Sequence, residues 1–232
     1  VINFDRNFIF CHNQKTAGTS MACALSRLSG CHYVSTNMLE WAMRGRVGGI
    51  ETMPLSEEMA FDYPNKHNPM IFWNKFFDLG NFFSFGFVRN PKVRMVALYL
   101  QQIREAGPGK GSLEITIDED THKVTKLPIG THEFTFDFFV RTYIPLAGKN
   151  QVAQFYDSDN NIIADFVGKY ENIDSDWKTV CQHLGVSHLP LPRKRVSADY
   201  NISDFWTGDL LEFFFSHEFY SDEYEVFGYE KG

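Results

Sequence analysis

The chain is short of positive charge. Lys and Arg number 22 against 29 Asp and Glu, a formal net charge of -7. Binding DNA, RNA or a polyanionic glycan along an extended face needs a basic surface, so those classes are disfavoured, while a local basic pocket stays open. Cysteine is scarce as well: Cys11, Cys23, Cys31 and Cys181 stand at spacings that fit no zinc pattern. They read as reduced thiols used as small apolar residues, which points to a cytoplasmic protein. No apolar run reaches the roughly 18 residues that a membrane-spanning helix needs, and no signal peptide is visible. A membrane span is therefore not expected, nor a stalk before the first motif, which lies a few residues after Val1. The G-x-x-x-x-G-K-[ST] loop of nucleoside-triphosphate enzymes is missing, as is an obvious magnesium carboxylate after a strand, which argues against a kinase or nucleotide hydrolase. Repeats, low-complexity tracts and linkers are also lacking, so residues 1–232 read as a single domain.

Apolar residues make up 44% of the chain, with 23 Phe. This is the composition of a globular protein with a sizeable core. The pattern predicts an α/β protein. Phe8–His12 reads as a strand, followed by a polar loop and a helix from about Ser20 to Leu28, with Gly30 as its stop. A short strand near His32–Val34 and a helix from about Asn37 to Arg44 follow, and residues 45–65 read as loop. Pro69–Leu79 reads as a helix. Phe82–Val88 is a continuous apolar run of the kind found in a parallel strand buried on both faces, and Pro91 opens a helix to about Arg104. Residues 105–132 form a long excursion with a short hairpin. Further helices are expected over Glu133–Tyr143, Asp174–Leu184, Ser203–Phe215 and His217–Val226, with a hairpin pairing Gln151–Tyr156 and Ile162–Val167.

The loop Lys15-Thr16-Ala17-Gly18-Thr19-Ser20 joins the first strand to its helix. Backbone N–H groups at a helix start, two hydroxyls and a Lys are the parts of an anion cradle. Thr19 and Ser20 would otherwise be plain helix caps, but a cap alone needs neither the Lys nor the Gly. Arg89, at the carboxyl end of the Phe82–Val88 strand, stands where open α/β sheets bind ligands, and a guanidinium there can grip a second phosphate bidentately. The alternative for Arg89 is an ordinary surface turn.

At this point a family resemblance enters. His12-Asn-Gln-Lys-Thr-Ala-Gly-Thr-Ser20 resembles the H-I-P-K-T-A-G-T-S loop of the carbohydrate sulfotransferases, and Phe87-Val-Arg-Asn-Pro-Xaa-Xaa-Arg94 resembles their 3′-phosphate element. Phe166-Val-Gly-Lys-Tyr-Glu-Asn172 with Leu184-Gly185, and then Tyr220-Ser-Asp-Glu-Tyr-Glu-Val-Phe-Gly-Tyr229, are similar to the family's later blocks, in the same order. The resemblance implies a P-loop-like three-layer sandwich with a central parallel sheet. It implies the donor 3′-phosphoadenosine 5′-phosphosulfate (PAPS), no required metal, and a hydroxyl acceptor, usually on a sugar. Lys15 would neutralise the leaving side of the donor, Thr16–Ser20 would hold its 5′-phosphate, and Arg89 its 3′-phosphate.

The matching position for a general base is His67, with His12 as competitor and Glu57, Glu58 and Asp62 as carboxylate candidates. The family's usual Ser eight residues after the Arg of the second element is Ala97 here. One hydrogen bond to a charged group is thereby lost, worth about 1.5–3 kcal/mol, and the basic loop Arg193, Lys194 and Arg195 is a candidate to compensate. A solvated charge run is the plain alternative for that loop. Two further readings stay open: a P-loop kinase or nucleotide hydrolase, and a non-catalytic nucleotide- or glycan-binding member. The acceptor and the oligomeric state are not legible.

Overall fold

A computed structural model describes residues 1–34, 52–57, 67–74, 77–106, 112–115, 125–128, 135–146, 150–157, 159, 161–193 and 200–231. The expected helix over Asn37–Arg44, most of the 45–65 loop, Glu58, Asp62, Lys194 and Arg195 lie outside these residues. The chain forms two compact units, Val1–Arg89 with Gln151–Val196, and Asn90–Asn150 with Ser197–Gly232.

The first unit is built on a six-stranded sheet. Its strands are β1 (Ile2–Asn3), β2 (Phe8–Cys11), β3 (Cys31–Val34), β4 (Thr52–Pro54), β5 (Phe83–Val88) and, after the residue numbers of the second unit, β8 (Phe166–Lys169). The order is β4-β3-β1-β2-β5-β8. The parallel sheet expected from the sequence is its β2-β5-β8 half, with Phe10 opposite Phe85 and Phe87 opposite Gly168. Strands β1, β3 and β4 extend it in antiparallel fashion. Every residue of β2 is buried, as are all of β5 after Phe83, which is why β2 reads as an unbroken apolar run and β5 is interrupted only by Ser84, whose hydroxyl donates to Asp165 at 2.7 Å.

One core holds Phe8 and Phe10 of β2, Phe85 and Phe87 of β5, Met21 and Leu25 of helix α1 (Gly18–Leu25), and Trp177, Val180 and Cys181 of a later helix, Ile173–His183. That helix stops at Gly185, whose φ of 67° suits a residue without Cβ. On β5, a side chain at Gly86 would lie 2.4 Å from the Phe155 ring and 2.9 Å from the Cys11 carbonyl oxygen. The four cysteines are buried free thiols, and burial pushes Cys11 up to about 12.

The hairpin expected over Gln151–Tyr156 and Ile162–Val167 is corrected by the structure. Val152–Gln154 is a 3-10 turn, a single bridge joins Tyr156 to Ile162, and the apolar run from Phe166 pairs with β5. Period-2 apolar patterning does not say which strand will be the partner, and the β5 edge offers a longer ladder than a local hairpin would. Of the helix expected over Pro69–Leu79, Met70–Asn74 is helix α2, residues 75–76 lie outside the described residues, and Leu79–Asn81 is a 3-10 turn.

The second unit contains helix α3 (Pro91–Ala106), the hairpin β6 (Ser112–Ile115) with β7 (Thr125–Pro128), a helical stretch α4 from Phe136 to Leu146 that widens to π geometry over Phe139–Tyr143, and two helices near the chain end, Gly208–Ser216 and Glu218–Phe227. Met95, Val96, Leu98, Phe139, Val140, Phe214, Tyr220 and Tyr224 form its core. Arg94 and Glu223 pair inside this unit at 3.6 Å, both almost fully buried. Ala97 is buried as well, as its place on an apolar stripe implies. Among the described residues no helix is long and apolar enough to cross a membrane.

Candidate functional site

Three neighbouring parallel strands set the site. β2 ends at Cys11, β5 at Val88 and β8 at Lys169, and their register brings the three carboxyl ends to one edge of the sheet. The segments that follow carry Lys15, Arg89 and Tyr170. Open α/β sheets bind ligands at this edge.

In the loop after β2, φ is 65° at Lys15 and 64° at Ala17, while Thr16 and Gly18 have no positive φ. Two non-glycine residues in the left-handed region cost of order 1–3 kcal/mol each. An alternation of this kind turns successive backbone N–H groups toward a common point, the arrangement that binds anions. Helix α1 starts at Gly18, not at Ser20 as the sequence implied. Its N-cap is Ala17, and no side chain caps it. Thr19 and Ser20 therefore lie in the first turn and are not caps. Helix starts leave N–H groups with no acceptor inside the helix, and here they follow directly on the Lys15–Gly18 turn. Thr16 is buried, and its hydroxyl donates to the Asn13 carbonyl at 3.1 Å, so it closes the loop.

Gly18 has a specific steric reason. A Cβ there would fall 2.0 Å from His12 Cδ2 and 2.3 Å from its Nε2. His12, buried and stacked on Phe10 at 5.7 Å between ring centroids, thus occupies the space over the helix start.

His67 is brought to the same place. Its Nδ1 lies 2.7 Å from the His12 carbonyl oxygen, and the two rings meet edge to face at 4.7 Å. Because a carbonyl oxygen only accepts, Nδ1 carries the hydrogen, and the basic nitrogen of the neutral ring is Nε2. Next to it, the Cys11 thiol shares its one hydrogen between the Asn68 carbonyl at 3.4 Å and the Gln154 carbonyl at 3.5 Å. Two bonds therefore tie residues 67–68 to the end of β2. Glu57 is exposed.

Arg89 is held from several sides. Its guanidinium lies 4.3 Å from the centre of the Tyr170 ring, and Nη1 donates to the Lys15 carbonyl at 3.4 Å. Its Nε is buried and has no hydrogen-bond partner among the described residues. Its backbone is gripped by Gln151, which accepts from the Arg89 N–H at 2.9 Å and donates to the Arg89 carbonyl at 2.8 Å. The same Gln151 oxygen accepts from Asn13 Nδ2 at 3.2 Å, and Asn13 also donates to the Phe87 carbonyl at 3.1 Å. Asn13 and Gln151 are both fully buried.

The structure thus gathers Lys15, the Thr16–Ser20 segment, Arg89 and His67 around one end of the sheet. Arg193 is exposed, with no bond to this group among the described residues. Sequence reasoning missed Asn13, Gln151 and Tyr170. Tyr170 stood inside a quoted block without a role, and Gln151 was taken as the first residue of a strand. Among the described residues no cluster of three or more His, Cys, Asp or Glu side chains is arranged to hold a metal ion.

No match to the chain is found among curated proteins or among solved structures. A model of the sulfotransferase family matches residues 1–230, nearly the whole length, and the chain belongs to that family.

Proposed function

We propose that the protein transfers a sulfuryl group from PAPS to a hydroxyl of a sugar or another small acceptor. Sulfotransfer is the activity of the family; the donor and the acceptor class are our reading. The observation that carries it is the alternating backbone of Lys15–Gly18 beside Arg89, at the carboxyl ends of parallel strands. The fit to the donor rests on two features. The Lys15–Gly18 turn and the uncapped start of α1 supply backbone N–H groups of the kind that bind anions. The buried Nε of Arg89 has a hydrogen left to donate, which a phosphate oxygen would accept.

When bound, the donor supplies the activated sulfuryl group. The N–H groups of Thr16 to Ser20, with the Thr19 and Ser20 hydroxyls, hold its 5′-phosphate, and Arg89 holds its 3′-phosphate. Lys15 keeps positive charge on the leaving side, where negative charge grows during transfer. His67, with Nδ1–H anchored on the His12 carbonyl, takes the proton of the acceptor hydroxyl at Nε2. The chain's part is positioning and charge stabilisation rather than covalent catalysis. The net charge of -7 favours a neutral acceptor over a polyanionic one. Residues 1–232 act as one functional domain in this reading, since one family model runs through both compact units.

Adenosine 3′,5′-bisphosphate should raise the melting temperature well above the shift given by adenosine 5′-monophosphate at equal concentration, because only the former reaches Arg89. A calorimetric scan with each nucleotide tests this. Equal shifts would remove the 3′-phosphate role from Arg89 and with it the choice of donor.

A further inference from the structure

We propose that Gln151 and Tyr170 are positioning residues for Arg89, so that the two phosphate subsites of the donor are set by one hydrogen-bonded assembly. The proposal rests on the donor reading above. Neither residue need touch the nucleotide.

An Arg that follows the last residue of a strand has no ladder partner to fix its backbone, and its long side chain carries considerable rotamer freedom. Here both freedoms are removed. The Gln151 side chain supplies an acceptor and a donor to the Arg89 N–H and carbonyl at 2.9 and 2.8 Å, in the manner of a neighbouring strand. Tyr170, the first residue after β8, lies under the guanidinium at 4.3 Å. Nη1 is engaged by the Lys15 carbonyl, and Nε, which has no hydrogen-bond partner among the described residues, keeps a hydrogen that a phosphate oxygen can accept.

Coupling to the 5′-phosphate side follows from the same atoms. Gln151 Oε1 also accepts from Asn13, which immediately precedes the loop, and Arg89 Nη1 bonds the carbonyl of Lys15 within it. One buried amide pair, Asn13–Gln151, therefore joins the root of the loop to the backbone of Arg89. Chain topology reinforces this, because the first unit is left after Arg89 and re-entered at Gln151. The clamp joins the exit to the entry, so the position of Arg89 does not depend on a free strand end.

The test is titration calorimetry on the full chain with adenosine 3′,5′-bisphosphate and adenosine 5′-monophosphate. The unaltered protein should bind the bisphosphate about 10–150-fold more tightly, the range of a charge-assisted hydrogen-bond contact. Gln151→Met keeps the size of the side chain and removes its hydrogen bonds. It should bring that ratio to within about threefold of unity, the bisphosphate losing more affinity than the monophosphate. Tyr170→Leu, at a half-buried position, should do the same without a buried polar group losing its partner, and it carries the test should Gln151→Met fail to fold. Tyr170→Phe keeps the ring face and should keep the ratio. A preference retained in Gln151→Met or Tyr170→Leu, or equal losses for both nucleotides, overturns the positioning role. An unaltered protein with no preference overturns the donor reading itself.

Discussion

His67→Ala is expected to lower kcat by about 10²–10⁴-fold, the usual contribution of a positioned general base, with nucleotide affinity unchanged. The residue is anchored at the end of β2. It is held by the His12 carbonyl through Nδ1 at 2.7 Å, and its segment by the Cys11 thiol on the Asn68 carbonyl. This anchoring fixes the tautomer, so Nε2 is the nitrogen with a lone pair. His67→Asn separates structure from chemistry. An Asn amide can donate to the same carbonyl from nearly the same place, but it has no basic nitrogen. Its kcat should be as low as that of His67→Ala, while its melting temperature stays closer to that of the unaltered protein. The rise of kcat with pH on the acid side, which a general base produces, should vanish in both variants. Transfer at the unaltered rate in either would take the role away from His67.

The second large effect is on stability, in the other unit. Glu223→Ala should cost about 3–5 kcal/mol, because it leaves the Arg94 guanidinium buried without its counter-charge. The pair sits at 3.6 Å with both side chains nearly inaccessible to solvent. Burial already pulls the Arg94 guanidinium down from its ordinary pKa, and Glu223 works against that pull. Tyr220 and Tyr224 surround the pair with aromatic surface, and burial holds both phenols well above their usual range. For a chain of this size the loss corresponds to a drop in melting temperature of about 6–20 °C. Scanning calorimetry reads it directly. Replacing both members, Arg94→Met with Glu223→Met, should recover most of the loss, since a well-packed apolar pair often matches a buried ion pair. A loss below about 1 kcal/mol in Glu223→Ala would mean that the pair does not carry the stability a buried ion pair should. The pair also explains why two of the blocks that resemble the carbohydrate sulfotransferases go together. Arg94 closes the second block and Glu223 lies within the last, and in the folded chain they are one ion pair. Arg94 is thus a core residue of its unit.

The β2–β5 pair of the parallel half was legible because strands buried on both faces are largely apolar, as Phe8–Cys11 and, apart from Ser84, Phe83–Val88 are; the half-buried β8, which ends at Lys169, was read as part of a hairpin. Helix α3 and the Ile173–His183 helix were legible from Pro91 at the start of one and Gly185 after the end of the other. The antiparallel strands β1 and β4 are two and three residues long, too short to show a period. The start of α1 was misplaced by two residues because local preference puts a hydroxyl at the cap, whereas this chain puts Ala17 there in a left-handed conformation. Lys15, Arg89 and His67 could be picked out by residue type and spacing. Asn13 and Gln151 could not, since an amide leaves no periodic or charge signal, and its partners were fixed only by the pairing of strands distant in sequence.

That amide pair also bears on the order in which the protein is assembled. Gln151 follows Arg89 by 62 positions and Asn13 by 138. A chain emerging from the ribosome therefore presents the anion loop and Arg89 long before the residue that fastens them together. Closing such long loops is entropically costly and slow compared with local helix formation. The pairing of β2 with β5 closes a shorter loop and is expected to precede it, leaving Arg89 unclamped until Gln151 arrives. Pulse-labelled hydrogen exchange should find the Arg89 amide protected later than the amides of β2, and simultaneous protection would contradict this order. The arrangement of Lys15 beside Arg89 then becomes a property of the late folded chain, one that a nascent or partly folded molecule does not share.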